Sequence, residues 1–183
     1  MPSCPSYRSH RSRRSLRRFR YGARVSIRLA RRDDVPIINQ LVRDLAHYER
    51  AAHEAIASDA QLVEALFGSN PHVFCHVGEI DGEVVGFALW FRSYSTWTGV
   101  SGLYLEDLYV RPEYRGRGLG LALMRTLAEV CIDEGLTRFE WSVLDWNQPS
   151  IDLYLGIGAH ALDEWTRYRL SHDALTTFAR RDA

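Results

Sequence analysis

Two clusters of residues in this chain have types and spacing suited to chemistry. The first is Arg115-Gly116-Arg117-Gly118-Leu119-Gly120, which follows an apolar run and opens a helical pattern. Glycines let backbone N–H groups close on an anion, a helix start adds the positive end of its dipole, and the arginines add charge. That combination suits a phosphate. It is not a dinucleotide fingerprint, because the glycines run G-x-G-x-G where that motif needs G-x-G-x-x-G. Nor is it a Walker loop, since no Gly-Lys-Ser/Thr is present. An ordinary glycine-rich turn is the competing reading. The second cluster is Glu106-Asp107, which interrupts an apolar strand-like run, Leu103–Val110. Carboxylates are rarely buried without a partner. The pair therefore marks either a place that takes a cation or a proton, or a solvated strand edge. Adjacent side chains on a strand face opposite sides unless a bulge intervenes.

Other reactive side chains carry less. Tyr154 has a phenol that stays protonated at neutral pH and can donate, but core packing is the commoner role of a lone tyrosine. Asn147 and Ser150 stand at a helix start, where both types cap by default. Cys4, Cys75 and Cys131 are widely separated, form no CxxC and no disulfide framework, and point to a reducing compartment. Cys131 falls on an apolar helix side and Cys75 in a strand, which argues against a covalent cysteine mechanism. His72 and His76 would share a strand face, while His47 and His53 would point to different helix faces. Neither pair has a suitable third ligand, so no metal is expected.

The elements that must position these residues follow from periodicity. Val25–Leu29 alternates as a strand, and Asp33-Asp34 with Pro36 begin a helix whose apolar side is Ile37, Ile38, Leu41, Leu45 and Tyr48. Ser58-x-x-Gln61 is a capping box for a second helix that Gly68 and Pro71 end. His72–Ile80 and Glu83–Phe91 flank Asp81-Gly82, a strong hairpin signal. Gly102–Val110 is a further strand, Gly118–Glu134 a helix closed by Gly135, Phe139–Leu144 a strand, Pro149–Leu155 a short helix and Arg167–Leu170 a last strand. The order β-α-α-β-β-β-α-β-α-β gives an α/β fold with a mixed sheet.

Composition sets the outer limits. The chain has 183 residues and a formal net charge of zero, with 23 arginines, no lysine and 23 acids. Eight of the arginines lie in residues 1–24, which hold five serines and no acid. Residues 25–183 therefore carry 15 basic and 23 acidic side chains, a net charge of about −8. This reads as an Arg/Ser-rich, disordered tail at 1–24 on an acidic domain at 25–183. The tail fits an organellar transit segment, an arm that touches phosphates, or sequence upstream of the true start. Apolar content of 46% excludes a disordered or fibrous chain. No apolar run of membrane-spanning length exists, and an acidic domain suits cationic ligands better than nucleic acid.

Arg-x-x-Gly-x-Gly after a strand, in this element order, resembles the acetyl-CoA pyrophosphate signature of the GNAT superfamily of N-acetyltransferases. Leu103–Val110, Tyr114-Arg115-Gly116, Trp146-Asn147-Gln148-Pro149-Ser150-Ile151 with Tyr154, and Gly158-Ala159 resemble its diamine (spermidine/spermine) and thialysine acetyltransferase branch, over about residues 26–175. The resemblance implies a mixed, mostly antiparallel sheet of six to seven strands flanked by about four helices. It implies acetyl-CoA as co-substrate, no metal, a small-molecule amine as acceptor, a cytoplasmic location and a homodimer.

Acetyl transfer to an amine poses two problems. An aliphatic amine with a pKa near 10.4 is neutral in only about 1 of 10³ molecules at pH 7, which costs roughly 4–5 kcal/mol to reach. The resemblance gives that proton to Glu106, through water, with Asp107 as a supporting acid. The departing thiolate needs a proton, and the resemblance assigns that to Tyr154. It places acetyl-CoA on the backbone of Leu108, Tyr109 and Val110, on Arg115, Gly116, Arg117, Gly118, Leu119 and Gly120, and on Asn147 and Ser150. A backbone N–H near Leu108 would stabilise the oxyanion. The amine would meet Tyr48, Glu49, Glu106, Asp107, Glu140, Trp141, Ser142 and Glu164. The polyamine enzyme of this branch carries an acid about where Ser95 stands, so a short diamine or an amino acid with a side-chain amine fits as well as a long polyamine. The aromatic loop Tyr94–Trp97 suggests a closed small pocket. Acetylation of a protein or peptide, and a non-enzymatic acetyl-CoA-binding module, are the competing functions.

Overall fold

The computed structural model describes residues 17–18 and 24–181. The tail expected at 1–24 lies outside them apart from Arg17, Arg18 and Arg24. One sheet runs β1 (Arg17–Arg18), β2 (Arg24–Leu29), β3 (Phe74–Ile80), β4 (Glu83–Ser95), β5 (Val100–Val110) and β6 (Phe139–Trp141), in that spatial order. All neighbours are antiparallel except β5 and β6, which are parallel. The β3–β4 turn puts Asp81 at φ 51° and Gly82 at φ 90°. Two positive φ values in a row are what a tight hairpin turn demands, and Asp-Gly tolerates them. The Asp81 carboxylate also accepts from the Arg24 N–H at 2.9 Å, tying the turn to the start of β2.

Helices α1 (Val35–Tyr48) and α2 (Asp59–Phe67) cover one face of the sheet. Val35, Ile38, Leu41 and Leu45 recur at helical spacing and pack with Leu66 onto Cys75, Val77, Phe87, Leu89 and Tyr109. Ser58 and Gln61 form the expected capping box on α2. Helix α3 (Leu119–Glu134) covers the other face through Leu119, Leu123, Met124 and Leu127. It comes close because β3 offers Gly78: a Cβ there would lie 2.8 Å from Leu119 Cδ1. Gly135 ends α3 at φ 67°, with its N–H on the Cys131 carbonyl. The described backbone divides into two compact units between Ser142 and Val143. The second contains α4 (Gln148–Gly156) and α5 (His172–Ala179).

Three expectations are corrected. Arg167–Leu170 is not a strand: the run is four residues long, no strand of the described residues pairs with it, and Tyr168 is 93% exposed. Helix α5 follows instead, an amphipathic segment that places Leu175 and Phe178 one turn apart and that the periodicity reading did not include. Among the described residues the sheet therefore has six strands, with five α-helices. The strand expected to reach Leu144 stops at Trp141, where pairing with β5 ends. No helix of the described residues is long and apolar enough to cross a membrane.

The entry to α1 is held by charge. Asp33 and Asp34 do not lie inside the helix but in a single 3-10 turn before it, Arg32–Asp34. Arg28 on β2 donates to Asp34 at 2.6 and 2.9 Å and to Glu79 on β3 at 2.7 Å, with its side chain only 9% exposed. Desolvation works to raise the Asp34 pKa, but hydrogen bonds from Arg28 and from the Arg31 N–H outweigh it and hold it below its ordinary value. Removing Arg28 strands the buried Asp34 and the half-buried Glu79 carboxylates. Arg28→Met is expected to cost about 3–5 kcal/mol, which is roughly 10 °C in Tm for a domain of this size. A carboxyl depressed in the fold stabilises it above its unfolded pKa and stops doing so as pH falls through its folded value. The Tm gap between wild type and variant should thus be full at pH 7 and close below about pH 4. Scanning calorimetry across that range checks both.

Candidate active site

The carboxylate pair sits on a break in the sheet. Across β4 and β5, Leu89 faces Asp107 while the next residue, Trp90, faces Leu105. Glu106 is the extra residue of a bulge. Neighbours Leu89 and Trp90 point to opposite faces, so Leu105 and Asp107 do too, although two residues apart they would normally share one. The bulge thereby turns Asp107 onto the α1 face, in a row with Leu89 and Cys75. Glu106 is exposed and Asp107 half-buried. Burial pushes the Asp107 carboxyl up to about 6, with the charges of Glu106 and Glu49 adding to it. Glu49 caps the C-terminal end of α1, and burial raises its own pKa as well. Three carboxylates from α1 and β5 therefore share one electrostatic neighbourhood. Glu49→Gln is expected to bring the Asp107 pKa down from about 6 toward, but not to, the usual carboxylate range, since burial remains. Carbon-detected NMR titration of the Asp107 carboxyl measures this.

Beside the bulge, β5 has an open edge. Strand β6 pairs only with Leu103, Tyr104 and Leu105, and no strand of the described residues continues the ladder past them. Arg111 donates its N–H to Val85 O at 3.0 Å on the β4 side. By alternation, Leu108 and Val110 turn their backbone groups to the opposite, open edge. Tyr109 and Val110 bury their side chains, so only their backbone is offered. At the end of this edge the glycine loop turns into α3, with Gly116 at φ 69° and Gly118, the residue before the helix, at φ 78°. Both are values that favour glycine. A Cβ at Gly116 would meet nothing within 4 Å, so the loop backbone is bare on its outer side. The first-turn N–H groups of α3 have no partner within the helix and carry its positive dipole end. Leu119 is buried against Gly78 and contributes backbone alone. An unpaired strand edge leading to a bare glycine loop is what an extended thioester arm ending in a pyrophosphate requires.

The comparisons with known proteins meet this geometry. The model of the acetyltransferase (GNAT) family matches residues 38–158. The chain is 40% identical over 168 residues to the thialysine N-epsilon-acetyltransferase of Sus scrofa, covering 86% of this chain and 98% of that one. The chain belongs to the GNAT family of acetyltransferases. It is also 30% identical over 194 residues to the L-ornithine N5-acetyltransferase NATA1 of Arabidopsis thaliana, covering 81% and 85% of the two chains. Among solved structures, an integron cassette protein from the mobile metagenome of V. cholerae superposes with a TM-score of 0.72 at 25% identity, over 86% of this chain and 98% of that one.

Within this GNAT domain the other expected residues divide. Glu140 pairs with Tyr104 in the β5–β6 ladder and so lies on the α1 face with the carboxylates. It ion-pairs with Arg138 at 3.5 Å. Ser142 shares a 2.8 Å hydrogen bond with the Tyr104 hydroxyl on that side. Trp141 pairs with Leu105 and stands on the opposite, α3 face, so it is not brought to the carboxylates. Tyr48 ends α1 with the Arg115 guanidinium 4.8 Å over its ring. Both loop arginines, expected to face the phosphates, have partners within the fold. Arg115 Nε donates to Val110 O at 2.8 Å, and Arg117 folds over the Tyr114 ring and donates to Glu113 O at 3.2 Å. The signal for this was the aromatic spacing Tyr48, Tyr109, Tyr114 around two arginines, which only the fold brings together.

In the C-terminal unit Asn147, Ser150 and Tyr154 all belong to the start and body of α4. Asn147 is buried and holds the N-cap position, but its side chain makes no capping hydrogen bond, so default capping does not explain it. Tyr154 is half-buried, and Glu164 is exposed in a turn. Tyr94 and Trp97 at the β4–β5 hairpin are 63% and 88% exposed. Ser95 is buried and its hydroxyl accepts from the Thr98 N–H, making it a turn former. Burial with neighbouring carboxylates holds the Cys75 thiol far above its usual range, and burial with Glu134 pushes Cys131 up to about 11. Neither supplies a thiolate nucleophile. His76 is buried, its pKa lowered to about 4, and its Nδ1 accepts from the Trp90 indole at 3.2 Å.

Proposed function

We propose that this protein moves an acetyl group from acetyl-CoA to the terminal amine of a small molecule, directly and without an acyl-enzyme. The observation that carries the reading is the bulge that turns Asp107 onto the α1 face, where the charges of Glu106 and Glu49 reach it, beside the open edge of β5. Acids there attract a cationic amine. Glu106, exposed at the bulge, takes the ammonium proton through water, and Asp107 and Glu49 hold the positive charge. The open edge at the Leu108 backbone and the Val110 N–H pairs with the amide groups of the thioester arm, the Val110 carbonyl being held by Arg115, and the Gly116–Gly120 backbone takes the pyrophosphate. Acetyl-CoA supplies the activated acyl group. Tyr154 carries the acid role through its match to the family pattern, with Asn147 and Ser150 as further cofactor contacts.

For the acceptor, an amino acid with a side-chain amine is favoured over a long polyamine. Two of the relatives named above act on thialysine and on L-ornithine. Ser95, buried in its turn, supplies no acid where the polyamine enzyme has one. The protein is incubated with acetyl-CoA and a panel of lysine, ornithine, thialysine, putrescine and spermidine, and free thiol is followed. Thiol release is expected to be fastest with the amino acids. Release with no amine, or only with a peptide substrate, would overturn the reading.

A further inference from the structure

We propose that Arg115 is a positioning residue that ties the glycine loop to the amine-binding end of α1, and not a phosphate ligand. This rests on the acetyl-transfer reading above. The first arginine of the R-x-x-G-x-G motif invites a phosphate role, but its side chain, although exposed, already has a carbonyl partner for its Nε and two rings within reach of its guanidinium. Its Nε donates to the Val110 carbonyl at 2.8 Å. Its guanidinium carbon lies 4.8 Å from the Tyr48 ring centroid and 5.3 Å from that of Tyr109. Both separations fall within the range of cation–π contact. A guanidinium can lie over ring faces while donating in its own plane, which an ammonium cannot reproduce.

The three partners sit at meaningful places. Val110 ends the open edge of β5, where the thioester arm would lie. Tyr48 is the last residue of α1 and precedes Glu49, whose charge reaches Asp107. Arg115 itself precedes Gly116, the first residue of the loop at positive φ. One side chain thus fixes the loop, the strand edge and the acid-bearing helix end relative to one another. A shift of this helix end displaces the amine from the thioester, and small displacements of bound reactants are costly in rate.

The test compares Arg115→Met, which keeps the aliphatic stem, with Arg115→Lys, which keeps the charge. Each is assayed with acetyl-CoA and with S-acetylpantetheine, a thioester arm lacking the pyrophosphate, and CoA affinity is measured by calorimetry. Arg115→Met is expected to raise the amine KM about tenfold with either donor while the Kd for CoA moves by less than about threefold, and Arg115→Lys is not expected to rescue it. Losses confined to acetyl-CoA, with a weakened Kd for CoA that lysine restores, would overturn the proposal. Tyr48→Leu provides a second route should Arg115→Met fold poorly. It should raise the amine KM similarly, and the double variant should be no worse than either single one. Additive effects would contradict a shared clamp. If the wild-type protein acetylates no amine, the acetyl-transfer reading fails, and the CoA titrations still decide whether Arg115 binds phosphate.

Discussion

Glu106→Gln is expected to lower kcat/KM for the amine by about 10²–10³-fold at pH 7, with partial recovery relative to wild type as pH approaches 10. The size follows from the proton that must leave. At pH 7 the free amine is about 10³-fold protonated, and a positioned base removes that obstacle within the complex. Near pH 10 much of the amine is already neutral, so the base has less to contribute. Glutamine keeps the shape and hydrogen-bonding reach of the side chain and loses only basicity and charge. The substitution has a second consequence. Glu106 is one of the charges that hold the Asp107 carboxyl up at about 6. Without it, Asp107 ionises at lower pH, so the acid limb of the variant's kcat/KM profile should move down from that of the wild type. Equal loss at every pH, with no movement of the limb, would show that Glu106 only binds the amine.

Tyr154→Phe is expected to reduce kcat about 10²-fold with little change in either KM. The phenylalanine keeps the ring that packs on the half-buried side of α4 and removes only the hydroxyl. A tyrosine that merely packs tolerates this with kcat intact. One that protonates the leaving thiolate does not, because the departing group then leaves as an anion in a site arranged to deliver a proton. Steady-state kinetics beside a melting curve separates the two roles: a large kcat loss at an almost unchanged Tm supports the acid. A preserved kcat would remove Tyr154 from the mechanism.

Much of the architecture was legible because it is written locally. The Asp81-Gly82 turn, the Ser58–Gln61 box, Gly135 after α3 and the glycine loop depend on residues a few positions apart, and each stands where expected. The carboxylate pair was legible as an anomaly, since acids inside an apolar strand need a reason. What was not legible depends on pairing across the sheet. The bulge exists only in the register of β4 against β5, and nothing in Leu105-Glu106-Asp107 alone says that Asp107 turns away from the face that alternation from Leu105 would give it. The Arg115 stack joins positions 48, 109 and 115, so the arginines read as free charges when they are held. Arg167–Leu170 alternates like a strand, yet alternation without a partner edge does not make one.

The central claim is direct transfer to the terminal amine of a small molecule. Mass spectrometry after a single turnover with acetyl-CoA and lysine or ornithine examines product and protein together. One acetyl group on the side-chain amine, with the protein mass unchanged, is the predicted result. An acetylated protein chain, or CoA released with free acetate and no acetylated amine, would contradict it.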